Sequence, residues 1–189
     1  MIIRGSELIG LEIKNKNNQY LGYSVQDIIY ARKGYYVAGL LLKCDLLKKE
    51  NLKKCKIICF NKIIDLDNAI ITQNDKSIMT LEQRPDLKEM VEKPIKLMDF
   101  EIYTHDKELV GVVKDTLINK NNGRITALLL SQGLFTDLFE GYSLLSLENN
   151  ENDTNCVSKD KIIISGKYMD SIHNCGGGLK NIFSIDRDN

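Results

Sequence analysis

Two stretches of the chain, residues 21–42 (LGYSVQDIIYARKGYYVAGLLL) and 109–130 (LVGVVKDTLINKNNGRITALLL), repeat one another and constrain its fold more than any other feature. In the second, Asn122-Gly123 is a strong hairpin signal, because a type I′ turn requires φ > 0 at both central residues. Before the turn, Val112, Val113, Leu117 and Ile118 bracket the polar Lys114, Asp115 and Thr116. After it, residues 125–130 are apolar and end in three leucines. A run this short fits a strand buried on both faces, or one closing a barrel, better than a helix. The first copy places Lys33-Gly34 at its turn and residues 37–42 in the strand that follows.

The copies keep register. Asp27 and Asp115 are offset by 88, as are Leu40 and Leu128, whereas Gly22 and Gly111 are offset by 89. The first copy therefore carries one extra residue between Gly22 and Asp27, which is what a β-bulge inserts. A duplication of this kind divides the 189 residues into two small units. The expected boundaries are a first barrel at 1–80, a linker at 81–93, a second barrel at 94–166 and a flexible C-terminal tail at 167–189. Units of about 80 residues can bury a core without covalent staples.

Taken in order, a first strand ends near Ile13, and strands follow over 20–30 and 37–42. The lysine-rich connection 43–56 holds a short helix around 46–52. Apolar runs at 57–60, 63–64 and 69–72 complete the first unit. Many short, closely spaced strands predict a barrel, since closure removes exposed edges. Pro85 and Asp86, with Glu89 three residues on, mark a helix start, and Pro94 marks its end. The second unit differs in an apolar loop, QGLFTDLFEGY at 132–142, and in an Asn/Glu/Asp insert at 149–155 with no periodicity. Residues 161–165 close it, and the tail contains Gly176-Gly177-Gly178.

Net charge is +0 at a pI of about 6.7, which argues against a broad nucleic-acid surface, since such surfaces carry a clear basic excess. Lys48, Lys49, Lys53, Lys54 and Lys56 cluster in one connection with Glu50 and read as a solvated loop. No apolar run approaches the ~18 residues of a membrane span. The N-terminal MIIRGSELIGLEI lacks the charged start and apolar core of a signal peptide, so a cytoplasmic protein is expected. The cysteines are Cys44, Cys55, Cys59, Cys156 and Cys175; their odd number and the lack of a CxxC pair predict reduced thiols. Only Cys55 and Cys59 are close in sequence, and His105 and His173 are far from them, so no zinc site is expected.

A pattern of Leu21-Gly22, Val25, Asp27-Ile28, residues 40–42, 57–60 and 69–71 recurs as Val110-Gly111, Val113, Asp115, residues 128–130, 144–147 and 161–163. It resembles the PRC-barrel, a small β-barrel shared by the photosynthetic reaction-centre H subunit and the ribosome-maturation protein RimM. The fold class this implies is all-β: two tandem PRC-type barrels joined by a short helical linker. Cys59 and Ser146 stand where the family often has proline. The second copy lacks apolar residues matching Ile63-Ile64, the Asn-rich insert taking their place. The loop GLFTDLFEGY is similar to that of small single-barrel proteins linked to sporulation in Gram-positive bacteria, and two barrels in tandem are similar to other cytosolic bacterial members. None of these relatives implies an enzyme.

The residues themselves weigh the same way. Asp27 and Asp115 recur without a histidine, lysine or serine partner at matching positions, and read as polar residues of the outer strand face bonding local backbone. His105, in the turn THDKE, reads as a surface histidine rather than a general base, which needs an orienting partner and a positioned substrate. The triple glycine lacks the GK[ST] ending and strand–loop–helix setting of a phosphate loop. No nucleophile, base and orienter occur together, and no cofactor is expected. Leu134, Phe135, Leu138 and Phe139 fall at the spacing of one stripe of an amphipathic helix. They read either as a flap over the barrel, since Leu and Phe are usually buried, or as a partner-binding patch. The expected function is a non-enzymatic adaptor that binds a cytosolic or membrane-associated protein through barrel loops. The alternative is an RNA-processing or ribosome-maturation factor, which the likeness to RimM implies; a homo-oligomer also stays open.

Overall fold

The computed structural model of the chain describes residues 1–31, 35–43, 54–95, 97–147, 156–157, 161–164 and 172–175, with only the backbone of Cys156, Val157 and Lys161. Its contacts divide into two compact units. The first comprises Met1–Ile95 with Ile118–Ile125; the second comprises Lys96–Leu117 with Thr126–Asn189. The expectations for a Lys33-Gly34 turn, a helix at 46–52, the 149–155 insert and the triple glycine fall outside the described residues.

The first unit contains β1 (Ile2–Arg4), α1 (Gly5–Leu8), β2 (Glu12–Asn15), β3 (Tyr20–Tyr30), β4 (Val37–Leu42), β5 (Lys56–Cys59), β6 (Ile63–Leu66), β7 (Ile70–Thr72), β8 (Ile78–Thr80) and α2 (Pro85–Glu92). Its sheet runs β6-β7-β2-β3-β4-β5-β8. All neighbours are antiparallel except the parallel pair β2 and β7. The second unit contains β9 (Glu101–Thr104), most of β10 (Leu109–Asn119) and of β11 (Ile125–Ser131), α3 (Leu134–Glu140), β12 (Ser143–Ser146), β13 (Cys156–Val157), β14 (Lys161–Ile164) and β15 (Ile172–Asn174). Its path β13-β14-β9-β10-β11-β12-β15 has the same order, with its parallel pair, β9 and β14, at the same place. The fold is all-β, two curled sheets each forming a half-barrel. Among the described residues, no helix is long and apolar enough to cross a membrane.

The extra residue of the first copy lies inside the expected window. In the β3–β4 ladder, Val25 faces Leu42 while Asp27 faces Leu41, which leaves Gln26 as the inserted residue of a register shift. The strands after each turn are the most apolar in their sheets. Every residue of β4 but Ala38 is buried, and so is every residue of β11 but Ser131. That pattern is why neither strand alternates in sequence: both of its faces meet protein.

The turn at Asn122-Gly123 differs from the type I′ geometry. Only Gly123 has positive φ, at 72°. The loop spans four residues, closed by Asn119 N–H to the Arg124 carbonyl at 2.8 Å and by Gly123 N–H to the Asn119 carbonyl at 2.9 Å. Side-chain bonds decide this. The Asn119 carboxamide oxygen accepts from Asn121 N–H, and that of Asn122 accepts from Arg124 N–H, each at 2.9 Å. These Asx bonds stabilise a wider loop than a two-residue turn. Gly123 also needs to be small, since a Cβ there would lie 2.7 Å from the Phe60 ring.

β8 pairs with β5. The α2 helix starts with Pro85 at its first position, as expected, but Arg84 rather than Asp86 caps it. Leu87 and Leu81 are buried in one cluster with Ile29, Leu41, Cys55, Ile57 and Cys59, and Met79, Met90 and Val91 pack on its rim. Neither β13 nor β15 was anticipated. β13 pairs with β14 as β6 pairs with β7, so the strand that the second copy appeared to lack in sequence is supplied by Cys156 and Val157. Within the stretch expected as a flexible tail, Ile172–Asn174 form β15 on the edge of β12. The expectation of reduced thiols is also revised: Cys55 is disulfide-bonded, while Cys59 and Cys175 are free. Spacing along the chain does not report which cysteines meet in space.

Candidate functional site

Leu134, Phe135, Leu138 and Phe139 are brought together by α3, which leaves the end of β11 and returns into β12. The helix closes with Asp137 N–H on the Gly133 carbonyl at 2.9 Å and Gly141 N–H on the Asp137 carbonyl at 3.0 Å. Its polar side is tied down. The Asp137 carboxylate accepts from Ser131 Oγ and from Gln132 N–H, the latter at 3.0 Å. Asn174 Nδ2 on β15 donates to Glu140 at 3.5 Å. Just beyond the helix, Cys175 N–H donates to the Tyr142 carbonyl at 2.9 Å. Thr136, Asp137 and Glu140 are accordingly half-buried.

The apolar side faces solvent. Leu134 is 81% exposed, Phe135 76%, Leu138 52% and Phe139 49%, and α3 buries no residue at all. This inverts the ordinary arrangement, in which a surface helix turns its apolar stripe to the core. Exposed Tyr142 continues the face at the C-terminal end of α3. Leu109, at the start of β10, is also exposed, and a Cβ on Gly111 would sit 2.8 Å from the Ser131 carbonyl, so the start of β10 runs close to the end of β11.

Charge around this face is sparse. Residues 132–142 contain Asp137 and Glu140 and no lysine or arginine. Nearby Lys114 bonds Asp99 at 2.9 Å; that bond chiefly raises its pKa, and Asp137 and Tyr142 push it in the same direction.

The paired aspartates do what was expected of them locally. Asp27 accepts from Ile28 N–H and Asp115 from Thr116 N–H, each at 2.8 Å. Asp65 makes the same bond to Leu66. Their placement differs, however. Asp27 is exposed, whereas Asp115 is only 5% exposed and does not lie on an outer face. The bulge at Gln26 bends β3 just before Asp27, while β10 carries no residue in that place. His105 and His173 are both exposed, one in a turn and one on the edge strand β15.

Sequence reasoning missed Arg84, whose guanidinium donates to Cys59 Sγ and, through Nε at 2.9 Å, to Asp86. Nothing in the sequence pairs residues 59 and 84. Burial pushes the Cys59 thiol pKa up, and the nearby Arg84 guanidinium opposes this. Among the described residues, no group of three or more histidine, cysteine, aspartate or glutamate side chains is placed to hold a metal ion.

The curled sheet and the loops it carries define the class: a small β-barrel module without a catalytic constellation among the described residues. Residues 96–166, from before β9 to beyond β14, match the PRC-barrel domain family. The PRC-barrel family is generally non-catalytic. No curated protein matches the chain.

Proposed function

We propose that the chain is a non-enzymatic interaction protein of two PRC-type barrels, which docks a protein partner on the exposed apolar face of α3. One observation carries this reading: α3 is fixed by its polar side and presents Leu134, Phe135, Leu138 and Phe139 to solvent. A contiguous exposed apolar patch of this kind marks an interaction site, and aromatic anchors commonly dominate binding energy. The shared strand order of the two sheets supports a second PRC-type barrel in the first unit. The test is capture of partners from native lysate by the wild type and by Phe135→Ser/Phe139→Ser. The expected result is loss of a captured protein in the variant at an unchanged melting temperature. Capture of the same proteins by both would contradict the assignment of this face, and salt-sensitive capture of RNA would point to a nucleic-acid partner instead.

A further inference from the structure

We infer that the occupant of the α3 face is a second copy of this chain, docked through α3 about a two-fold axis; the inference rests on the reading of α3 as a docking face. Area is the first argument. With side chains of roughly 150–250 Å² each, Leu134, Phe135, Leu138, Phe139 and Tyr142 expose on the order of 500–600 Å². That falls short of the ~800 Å² that one partner contributes to a standard interface. Two such faces together bury about 1,000–1,200 Å² in total, the range of a weak, reversible association.

Shape is the second argument. Leu134 with Leu138, and Phe135 with Phe139, make two parallel rows one helical turn long. A two-fold operator sets each row against the same rows of an antiparallel α3, which makes the face self-complementary. Asp137 and Glu140 are turned towards their own sheet and engaged there, so the apposed faces bring no carboxylates together. Charge is the third argument, and it separates this occupant from a lipid surface. Helices that lie in a membrane interface carry lysine and arginine on their polar side. Residues 132–142 have none and carry two carboxylates.

Sedimentation equilibrium of the full chain tests this. The expected result is a reversible monomer–dimer equilibrium with a dissociation constant on the order of tens of micromolar, as befits a small interface. Leu134→Lys changes the most exposed residue of the helix, which no core contains. It sets a charge against the apolar row of the apposed helix and should weaken the dimer by at least about tenfold. Phe135→Ser/Phe139→Ser should abolish the dimer. A wild type that stays monomeric up to about 1 mM overturns the inference. So does a Leu134→Lys variant that dimerises as the wild type does. Flotation of the wild-type monomer with phosphatidylglycerol vesicles, lost in Leu134→Lys, would overturn it in favour of a lipid surface. A monomeric wild type whose Phe variants melt normally removes only the second copy. A collapse of the melting temperature in those variants removes the docking face itself.

Discussion

Individual residues carry the least ambiguous consequences. Leu41 and Leu129 are buried within β4 and β11, so aspartate at either places an unpaired charge in a core. Leu41→Asp or Leu129→Asp should cost several kcal/mol and unfold the unit that contains it, as circular dichroism would show. Asp115→Asn keeps an oxygen for Thr116 N–H and should cost less than about 1 kcal/mol by urea titration. Gly123→Ala meets two obstacles, a positive φ and the Phe60 ring, and should destabilise the first unit by about 1–3 kcal/mol. The Arg84–Asp86 pair has a definite pH signature. Its hydrogen bond from Arg84 holds the Asp86 carboxyl below the usual range. The resulting stability is present above the unfolded carboxylate pKa of about 3.9 and is lost as pH falls through the depressed value. Asp86→Asn should therefore cost under about 1 kcal/mol near neutrality, the pair being solvent-screened, and nothing in strong acid.

At the scale of elements, legibility followed length and periodicity. The hairpin strands β3, β4, β10 and β11 were readable because each is long enough to show its own pattern and because the pattern occurs twice. The bulge was readable as an offset between copies. β13 and β15 were not, since strands of two and three residues carry no periodicity and owe their existence to the neighbouring edge. The case of α3 is more instructive. Spacing showed that Leu134, Phe135, Leu138 and Phe139 share a stripe; which way the stripe points depends on Asp137 and Glu140 finding acceptor roles on the sheet side, a tertiary matter. Likewise the composition around α2 suggests an exposed connector, yet Leu81 and Leu87 are fully buried. Limited proteolysis should accordingly leave residues 77–93 intact while the first unit is folded. Early cleavage within α2 would contradict that packing.

For the whole molecule, the duplication is visible as two sheets of one strand order, but the contact units do not follow the sequence copies. Ile118–Ile125 belongs to the first unit. There Val37 N–H donates to the Gly123 carbonyl at 2.8 Å, Ile125 N–H to the Tyr35 carbonyl at 2.7 Å and Lys120 N–H to the Met1 carbonyl at 3.0 Å. Lys120 Nζ also reaches Asp67 at 3.2 Å. Residues 1–95 expressed alone should thus melt below the first-unit transition of the full chain, because these backbone groups lose their partners. The function assigned to the molecule depends on whether the apolar face of α3 is open in the monomer. The thermal melt of Phe135→Ser/Phe139→Ser at low concentration measures this directly. An open face predicts a melting temperature within about 2 °C of wild type, since little apolar area is uncovered. If the rings instead covered a core, each would cost about 3–5 kcal/mol, and a fall of well over 10 °C would contradict the account.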